Sequence, residues 1–258
     1  SREDTIREMV RCGYVKSAHL ANEYGDPSAL NPAADVDIVG AAGIFSSDEF
    51  LNDQKGRSGE YQKTASVMKL VVNGFSGAGC ITMGGFDYHT GNRFVGEERD
   101  FTAGQCMGAC LEYAHRMGVP LMLYVFSDGS VASNGMVDDS AEGRGKGVWT
   151  GDNQSTAASF YLVYNPGGRP TLIGGNANTV RRQVGWFRGN GDVETASSPA
   201  ANNVNLLVET VALHYMALHG EQGDFATSFP NHGLGNPAMR DSLLSFNQIV
   251  SHTIVPPT

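Results

Sequence analysis

The stretch that most constrains this chain is Leu121-Met122-Leu123-Tyr124-Val125-Phe126, six apolar or aromatic residues in a row, closed off in front by Gly118 and Pro120. Alternation would mark a strand with one wet face. An unbroken apolar run of this length marks a strand covered on both faces, as in a parallel sheet between helices. Upstream, Met107, Cys110, Leu111, Ala114 and Met117 recur at helical spacing and predict a helix from about Asp100 to Met117. Gly79 to Met83 reads as a short strand joined to that helix by the loop Gly84 to Glu98. Strand, helix, strand is a βαβ unit, and its crossover predicts parallel pairing.

Around this unit the chain is loop-rich. Ser1 with Asp4 has the capping-box pattern, and Ile6, Met9, Val10, Ala18 and Ala21 keep helical spacing until Gly25-Asp26-Pro27 stops it. Residues Asp26 to Gly59 read as turns with one short helix. Tyr61, Ala65, Met68 and Val72 suit a helix ending at Gly74, although Val67 to Val72 alone also suits a strand. Ser127 to Thr156 reads as loop. Phe160 to Tyr164 and Thr171 to Ile173 then read as an antiparallel pair about the turn Pro166-Gly167-Gly168. Asn203 to His219 predicts an amphipathic helix, and a short helix is expected near Asp241 to Val250. With no repeat or linker, residues 1–258 are expected to form one α/β domain. Helix and loops fill 1–60, the βαβ core 61–165, and loops with C-terminal helices 166–258.

Composition removes several function classes. A chain of 258 residues with 41% hydrophobic content can bury a sizeable core. Lys and Arg number 18 against 27 Asp and Glu, a net charge of −9, so the basic footprint of a nucleic-acid or anionic-membrane partner is missing. No apolar run approaches the roughly 20 residues of a membrane span. Cys12, Cys80, Cys106 and Cys110 are too scattered for a disulfide scaffold. Cys106 and Cys110, four apart on one helix, suit buried packing better than a zinc site, which needs two further ligands. The 33 glycines and only 17% charged residues lean towards a periplasmic or extracellular protein.

In open α/β sheets, ligands bind where the loops after parallel strands converge. Two loops meet that description: Gly84-Gly85-Phe86-Asp87-Tyr88-His89, and Ser127-Asp128-Gly129. Asp87, His89 and Asp128 offer one imidazole and two carboxylates, ligand types for Zn²⁺ or Mn²⁺, and an open coordination position would polarise an ester oxygen or activate water. The same residues also read as a turn and an ordinary loop histidine. Ser76, in Gly74-Phe75-Ser76-Gly77-Ala78, lacks the following helix of a nucleophile elbow, and Gly143 to Gly147 lacks the strand and hydroxyl of a phosphate loop. His214 and His219 read as core histidines, His232 as the freer one, and His19, His115 and His252 carry no assigned role. Arg181 and Arg182 are candidate anion donors, although paired arginines are usually solvated.

Gly84-Gly85-Phe86-Asp87-Tyr88-His89-Thr90-Gly91-Asn92, the helix after it, and Leu123 to Gly129 resemble a bacterial family. It is the uncharacterised, often twin-arginine-exported family of sulfatase-like proteins placed in the alkaline phosphatase superfamily, and the likeness spans roughly Ala65 to Asn165. It implies a three-layer αβα, alkaline phosphatase-like fold with a mostly parallel sheet, and a metal-assisted hydrolase of phosphate or sulfate esters. It also implies a divalent ion (Zn, Mn or Ca) on Asp87 and His89, with Asp128 after the next strand and Gly151-Asp152 as the later motif. Asn153 stands where the family pattern has His. Superfamily relatives carry a nucleophile strand that has no counterpart before the opening helix. The chain is therefore expected to be a C-terminal portion needing an N-terminal segment or a second subunit. The alternative is a non-catalytic exported or surface protein that keeps the fold.

Overall fold

The computed structural model describes residues 2–53, 55–86, 93–126, 130–141, 146–153, 159–185 and 203–251. Helices dominate it: α1 (Arg2–Tyr24), α2 (Pro27–Leu30), α3 (Ser47–Asn52), α4 (Ser58–Val72), α5 (Arg93–Met117), α6 (Val204–Leu218), α7 (Phe225–Ser228) and α8 (Pro237–Leu243). Among the described residues four strands accompany them: β1 (Leu121–Phe126), β2 (Ser130–Asp138), β3 (Lys146–Asn153) and β4 (Ser159–Tyr164).

The expected three-layer, mostly parallel, alkaline phosphatase-like sheet is not what these strands make. Among the described residues there are two separate two-stranded ladders, β1 with β4 and β2 with β3, and both are antiparallel. Leu121 faces Tyr164 and Phe126 faces Ser159, so β1 and β4 are the arms of a long hairpin inside which β2 and β3 form a second one. The apolar run is a strand with the predicted ends, but its partner follows it in the chain instead of preceding it. Thr171 to Ile173 does not pair with β4 either: Leu172 forms an isolated antiparallel bridge with Phe246.

Gly79 to Met83 carries no strand, for a packing reason. Gly74 adopts a left-handed φ of 77° that ends α4, and the amide of Ser76 donates to the Leu70 carbonyl at 3.0 Å. The chain then runs back along its own helix. A Cβ at Gly79 would lie 2.4 Å from Cγ1 of Val67, and the Lys63 ammonium donates to the Thr82 carbonyl at 2.5 Å. A segment laid against the helix that precedes it is not placed to begin a crossover.

The chain divides into two compact units, Ser1–Gly84 with Thr102–Met117, and Gly85–Phe101 with Gly118–Thr258. In the first, α4 buries Tyr61, Thr64, Ala65, Met68, Lys69 and Val72, a stripe at three- and four-residue spacing that settles its helix-or-strand ambiguity. Cys106, Ala109, Cys110, Tyr113 and Ala114 of α5 are buried in the same unit, together with Ile38, Phe45 and Phe50. Phe45 stacks on Tyr61 with centroids 4.9 Å apart. Helix α3 starts on a capping box in which Ser46 and Glu49 exchange hydrogen bonds.

In the second unit Leu213, Ala217, Phe225, Leu234, Leu243 and Leu244 form the core, with Asn203 capping α6 by accepting the Leu206 amide. Tyr124 and Tyr161, directly opposite in the β1–β4 ladder, stack at 5.4 Å, and His214 of α6 lies on Tyr161 at 4.6 Å. No helix among the described residues is long and apolar enough to cross a membrane.

Candidate functional site

Of the four residues implied as metal ligands, Asp87, His89 and Asp128 lie outside the described residues, and Asp152 occupies a β3 position opposite Val131. No group of three or more His, Cys, Asp or Glu side chains among the described residues could hold a metal ion. The other candidates are engaged structurally. Ser76 donates its hydroxyl to the Ala78 carbonyl at 2.6 Å. Burial pushes the Cys106 thiol up and the Cys110 thiol up to about 12, so both stay protonated as core side chains. His232 accepts the Leu234 amide on Nδ1 and packs on Phe225. His219 caps α6 against the Tyr215 ring.

A cavity of about 230 Å³ in the second unit is lined by Arg169, Pro170, Leu172, Asn176, Arg182 and Phe246. Its frame follows from turn chemistry. After β4, Asn165 accepts the Gly167 amide on its side chain and the Gly168 amide on its carbonyl, and Gly168 takes a φ of 129°, so the chain reverses and delivers Arg169. The next residues are pinned to the C-terminal segment: the Ile173 amide donates to the Ser245 carbonyl at 3.0 Å and the Asn247 amide to the Thr171 carbonyl at 2.9 Å. Asn247 also donates through Nδ2 to the Leu172 carbonyl at 3.0 Å. That clamp fixes Leu172 and Phe246 as neighbouring walls.

Glycines 174 and 175, at φ of 78° and 91°, turn the chain again. Asn176 then accepts the Leu172 amide on Oδ1 at 3.1 Å, which fixes the orientation of its carboxamide and leaves Nδ2, a donor, for the cavity. The turn Thr179–Arg182 separates the two arginines that are adjacent in sequence. Arg181 donates to the carbonyls of Asp241 and Leu244 and lies 3.6 Å from the Asp241 carboxylate, tying this turn to α8. Arg182 faces the cavity instead. Among the described residues, neither Arg169 nor Arg182 has a carboxylate partner and no acidic side chain lines the cavity.

The lining therefore presents two guanidinium groups and one carboxamide donor on a wall of Pro170, Leu172 and Phe246. Donors without a facing carboxylate, in a protein of net charge −9, form a local exception to the overall sign. Guanidinium forks match the oxygens of phosphate, sulfate and carboxylate, so the arrangement is built for an oxyanion. Sequence reasoning singled out Arg182 but not its pocket partners. Arg169 is 13 positions away in the chain (182 − 169) and Phe246 is 64 (246 − 182), with no shared motif to join them.

A second polar cluster lies in the first unit. The Lys69 ammonium meets Asp35 Oδ2 at 2.6 Å, the Tyr113 hydroxyl donates to the same oxygen at 2.8 Å, and Asn73 Nδ2 donates to the Tyr113 hydroxyl at 2.9 Å. The Asp37 amide donates to Asp35 Oδ1 at 3.0 Å. Burial would raise the Asp35 carboxyl, but the hydrogen bonds from Lys69 and Tyr113 outweigh it and hold it below its ordinary value. Burial first, and Asp35 next to it, push Tyr113 up to about 12. Every group is bonded to another protein group, so the cluster is a lock on the core. The signal in the sequence is Lys69, a cation on the apolar face of α4.

No protein-family model, curated protein or solved structure matches this chain.

Proposed function

We propose that this protein binds small phosphate or sulfate esters in the pocket between Arg169 and Arg182. The observation that carries the reading is the lining that the described residues give: two guanidinium groups and the Asn176 carboxamide, with no carboxylate among those residues facing them. Arg169 and Arg182 are exposed, and an oxyanion meets their guanidinium forks with matched geometry. Binding without turnover is the non-catalytic form of this function. Calorimetric titration of the full chain with inorganic phosphate and sulfate tests it. Saturable binding is expected, weakened at least tenfold in Arg182→Met and in Arg169→Met, and weakened by salt; identical isotherms for parent and both variants would refute it.

Hydrolysis of the bound ester is the second reading. What favours it is the string Gly84 to His89, with Asp128 and Asp152, as ligand types for a divalent ion. Only Asp152 of that set falls among the described residues, so no catalytic step is derived through an ion. Metal analysis of the purified protein, with an ester panel assayed with and without chelator, decides between binding and turnover.

A further inference from the structure

We propose that His214 is a proton-operated latch on residues 243–250: the neutral ring holds that segment on α6, and the protonated ring releases it together with any anion held by Arg169 and Arg182. For what is released the inference rests on the oxyanion reading above, and it adds how release is controlled.

The first observation is that both arginine-bearing turns hang on this part of the chain. Downstream of Arg169, the Ile173 amide donates to the Ser245 carbonyl and the Asn247 amide to the Thr171 carbonyl. Beside Arg182, Arg181 donates to the carbonyls of Asp241 and Leu244. Phe246 of the same segment lines the pocket. The spacing of the two guanidinium groups therefore depends on where residues 241–247 lie. Helix α6 in turn fixes the segment at two places. His214 Nε2 lies 2.9 Å from the Leu243 carbonyl, and the Ile249 and Val250 amides donate to the Leu218 carbonyl at 2.9 Å and 3.0 Å.

The second observation is an imidazole with a place for one proton only. His214 is 2% exposed, and a neutral ring that donates from Nε2 to Leu243 keeps a bare Nδ1, which has no partner among the described residues. A second proton turns Nδ1 into a donor with nothing to accept it. The groups facing the ring are the phenols of Tyr124 from β1 and Tyr161 from β4, at 6.0 Å and 4.6 Å between centroids, and the Leu243 carbonyl from α8. One turn away on α6 itself stand Thr210 and Leu218, both uncharged. Cation–π attraction to the tyrosine faces returns part of the cost of a charged ring but leaves its Nδ1–H unbonded. Burial accordingly pushes the imidazole down to about 4.

The third observation decides which part gives way when the proton arrives. Strands β1 and β4 pair along their whole length, and α6 is a capped helix of 15 residues. Residues 244–250 form neither helix nor ladder, and they hold through the isolated Leu172–Phe246 bridge and single hydrogen bonds. Local opening takes the element with the fewest cooperative bonds. The Tyr161 ring that stacks on His214 also meets the Phe246 ring edge-on at 5.6 Å, so displacing the imidazole disturbs the pocket wall directly. The sign of the effect is diagnostic. Acid makes the chain less negative, so a rigid anion site binds tighter as pH falls, whereas a latched one lets go.

Calorimetry of the full chain with inorganic sulfate, whose charge is constant between pH 7 and pH 5, tests the proposal. Sulfate affinity is expected to fall about threefold or more over that range in the parent. It should hold or rise in His214→Gln, whose carboxamide keeps a donor for Leu243 and cannot titrate. Amide exchange in the parent needs no variant: protection of Ile173, Asn247, Ile249 and Val250 should fall together at pH 5, ahead of α6. Sulfate that binds at pH 7 and at least as tightly at pH 5 overturns the latch and leaves the oxyanion reading standing. An equal fall in the parent and His214→Gln, or unchanged protection of the four amides, also overturns the latch, and no sulfate binding at either pH overturns both.

Discussion

The two units bury polarity in opposite ways. In the first, a full charge pair goes into the core and is closed by neighbours: Lys69 and Tyr113 on one oxygen of Asp35, the Asp37 amide on the other, and Asn73 on Tyr113. In the second, a titratable ring goes in uncharged. His214 Nε2 lies 2.9 Å from the Leu243 carbonyl, so that nitrogen carries the proton, and Nδ1 has no partner among the described residues. Burial pushes the imidazole down to about 4. A closed ionic lock depends on all its members being present, whereas a buried neutral imidazole depends on the proton concentration outside. One unit is thus sensitive to substitution and the other to acid.

The largest expected effect is on the lock. Lys69→Met removes the cation and leaves a carboxylate in a site whose side chains are mostly shielded from water. Truncating one partner of a buried pair costs about 3–4 kcal/mol, because the remaining charge is stranded. Urea unfolding followed by circular dichroism should show that loss, and the double variant Lys69→Met with Asp35→Leu should recover most of it. If the double variant is as unstable as the single one, the cluster stabilises through shape and not through charge.

Acid should act on the other unit first. A histidine whose folded value is depressed from 6.5 to about 4 stabilises fully above pH 6.5, and that contribution drains away as pH falls from about 6.5 to about 4. The expected loss is on the order of 3 kcal/mol over that window. Asp35, held below 3.8, loses its contribution only under more acidic conditions. Amide hydrogen exchange at pH 7 and pH 5 reads the two units separately. Protection in α6, β1 and β4 should fall at pH 5 while α4 keeps its protection, and His214→Phe should flatten the response between pH 7 and 5. Equal loss in both units would erase the contrast.

The neighbouring arginines sharpen the comparison within one unit. Arg181 ties the turn Thr179–Arg182 to α8 through two carbonyls, and hydrogen bonds from a charged donor contribute about 1.5 kcal/mol or more. Arg181→Met should therefore cost about 1.5 kcal/mol in thermal unfolding and leave phosphate affinity within twofold. Arg182→Met should do the reverse, with stability changed by less than about 0.5 kcal/mol and phosphate binding lost. Should both variants lose stability and keep binding, the pocket is a gap between structural arginines.

How much of this was legible in the chain differs by element. One helix was readable nearly to the residue, since Asn203 to His219 is expected and α6 spans Val204–Leu218 on an Asn203 cap, whereas α5 already begins at Arg93, inside the expected loop Gly84 to Glu98, and the helix expected near Asp241 to Val250 is Pro237–Leu243. The run Leu121 to Phe126 is likewise β1 to the residue. Neither its partner nor its cover was legible: β1 pairs antiparallel with β4, its residues are half-buried and Phe126 is 58% exposed, so the doubly covered strand expected from the apolar run is not formed. The parallel sheet inferred from it fails for that reason. Ser127 to Thr156 reads as loop from its Gly, Asp and Ser content, yet Ser130–Asp138 and Lys146–Asn153 within it form an antiparallel ladder. Pocket residues Arg169, Asn176 and Phe246 come from two turns and the C-terminal segment, and the hydrogen bonds of Thr171, Leu172 and Ile173 to Ser245 and Asn247 make them neighbours.

The smallest effect concerns the segment that sequence alone makes a strand. Gly79 is needed because a Cβ there would lie 2.4 Å from Val67 Cγ1 and 3.0 Å from Val71 Cγ2, both on the branched side chains of α4. Branched side chains in a helix have one favoured rotamer and yield little, so Gly79→Ala should cost about 1 kcal/mol through overpacking. Val67→Ala opens the space, and combining the two should restore the stability of Val67→Ala alone, a coupling read from a double-mutant cycle in urea. In a β-strand away from α4 the same alanine would be neutral or favourable, since glycine in a strand interior costs backbone entropy. A stabilising Gly79→Ala with no coupling to Val67 would return this segment to a sheet and remove the packing that keeps it on the helix.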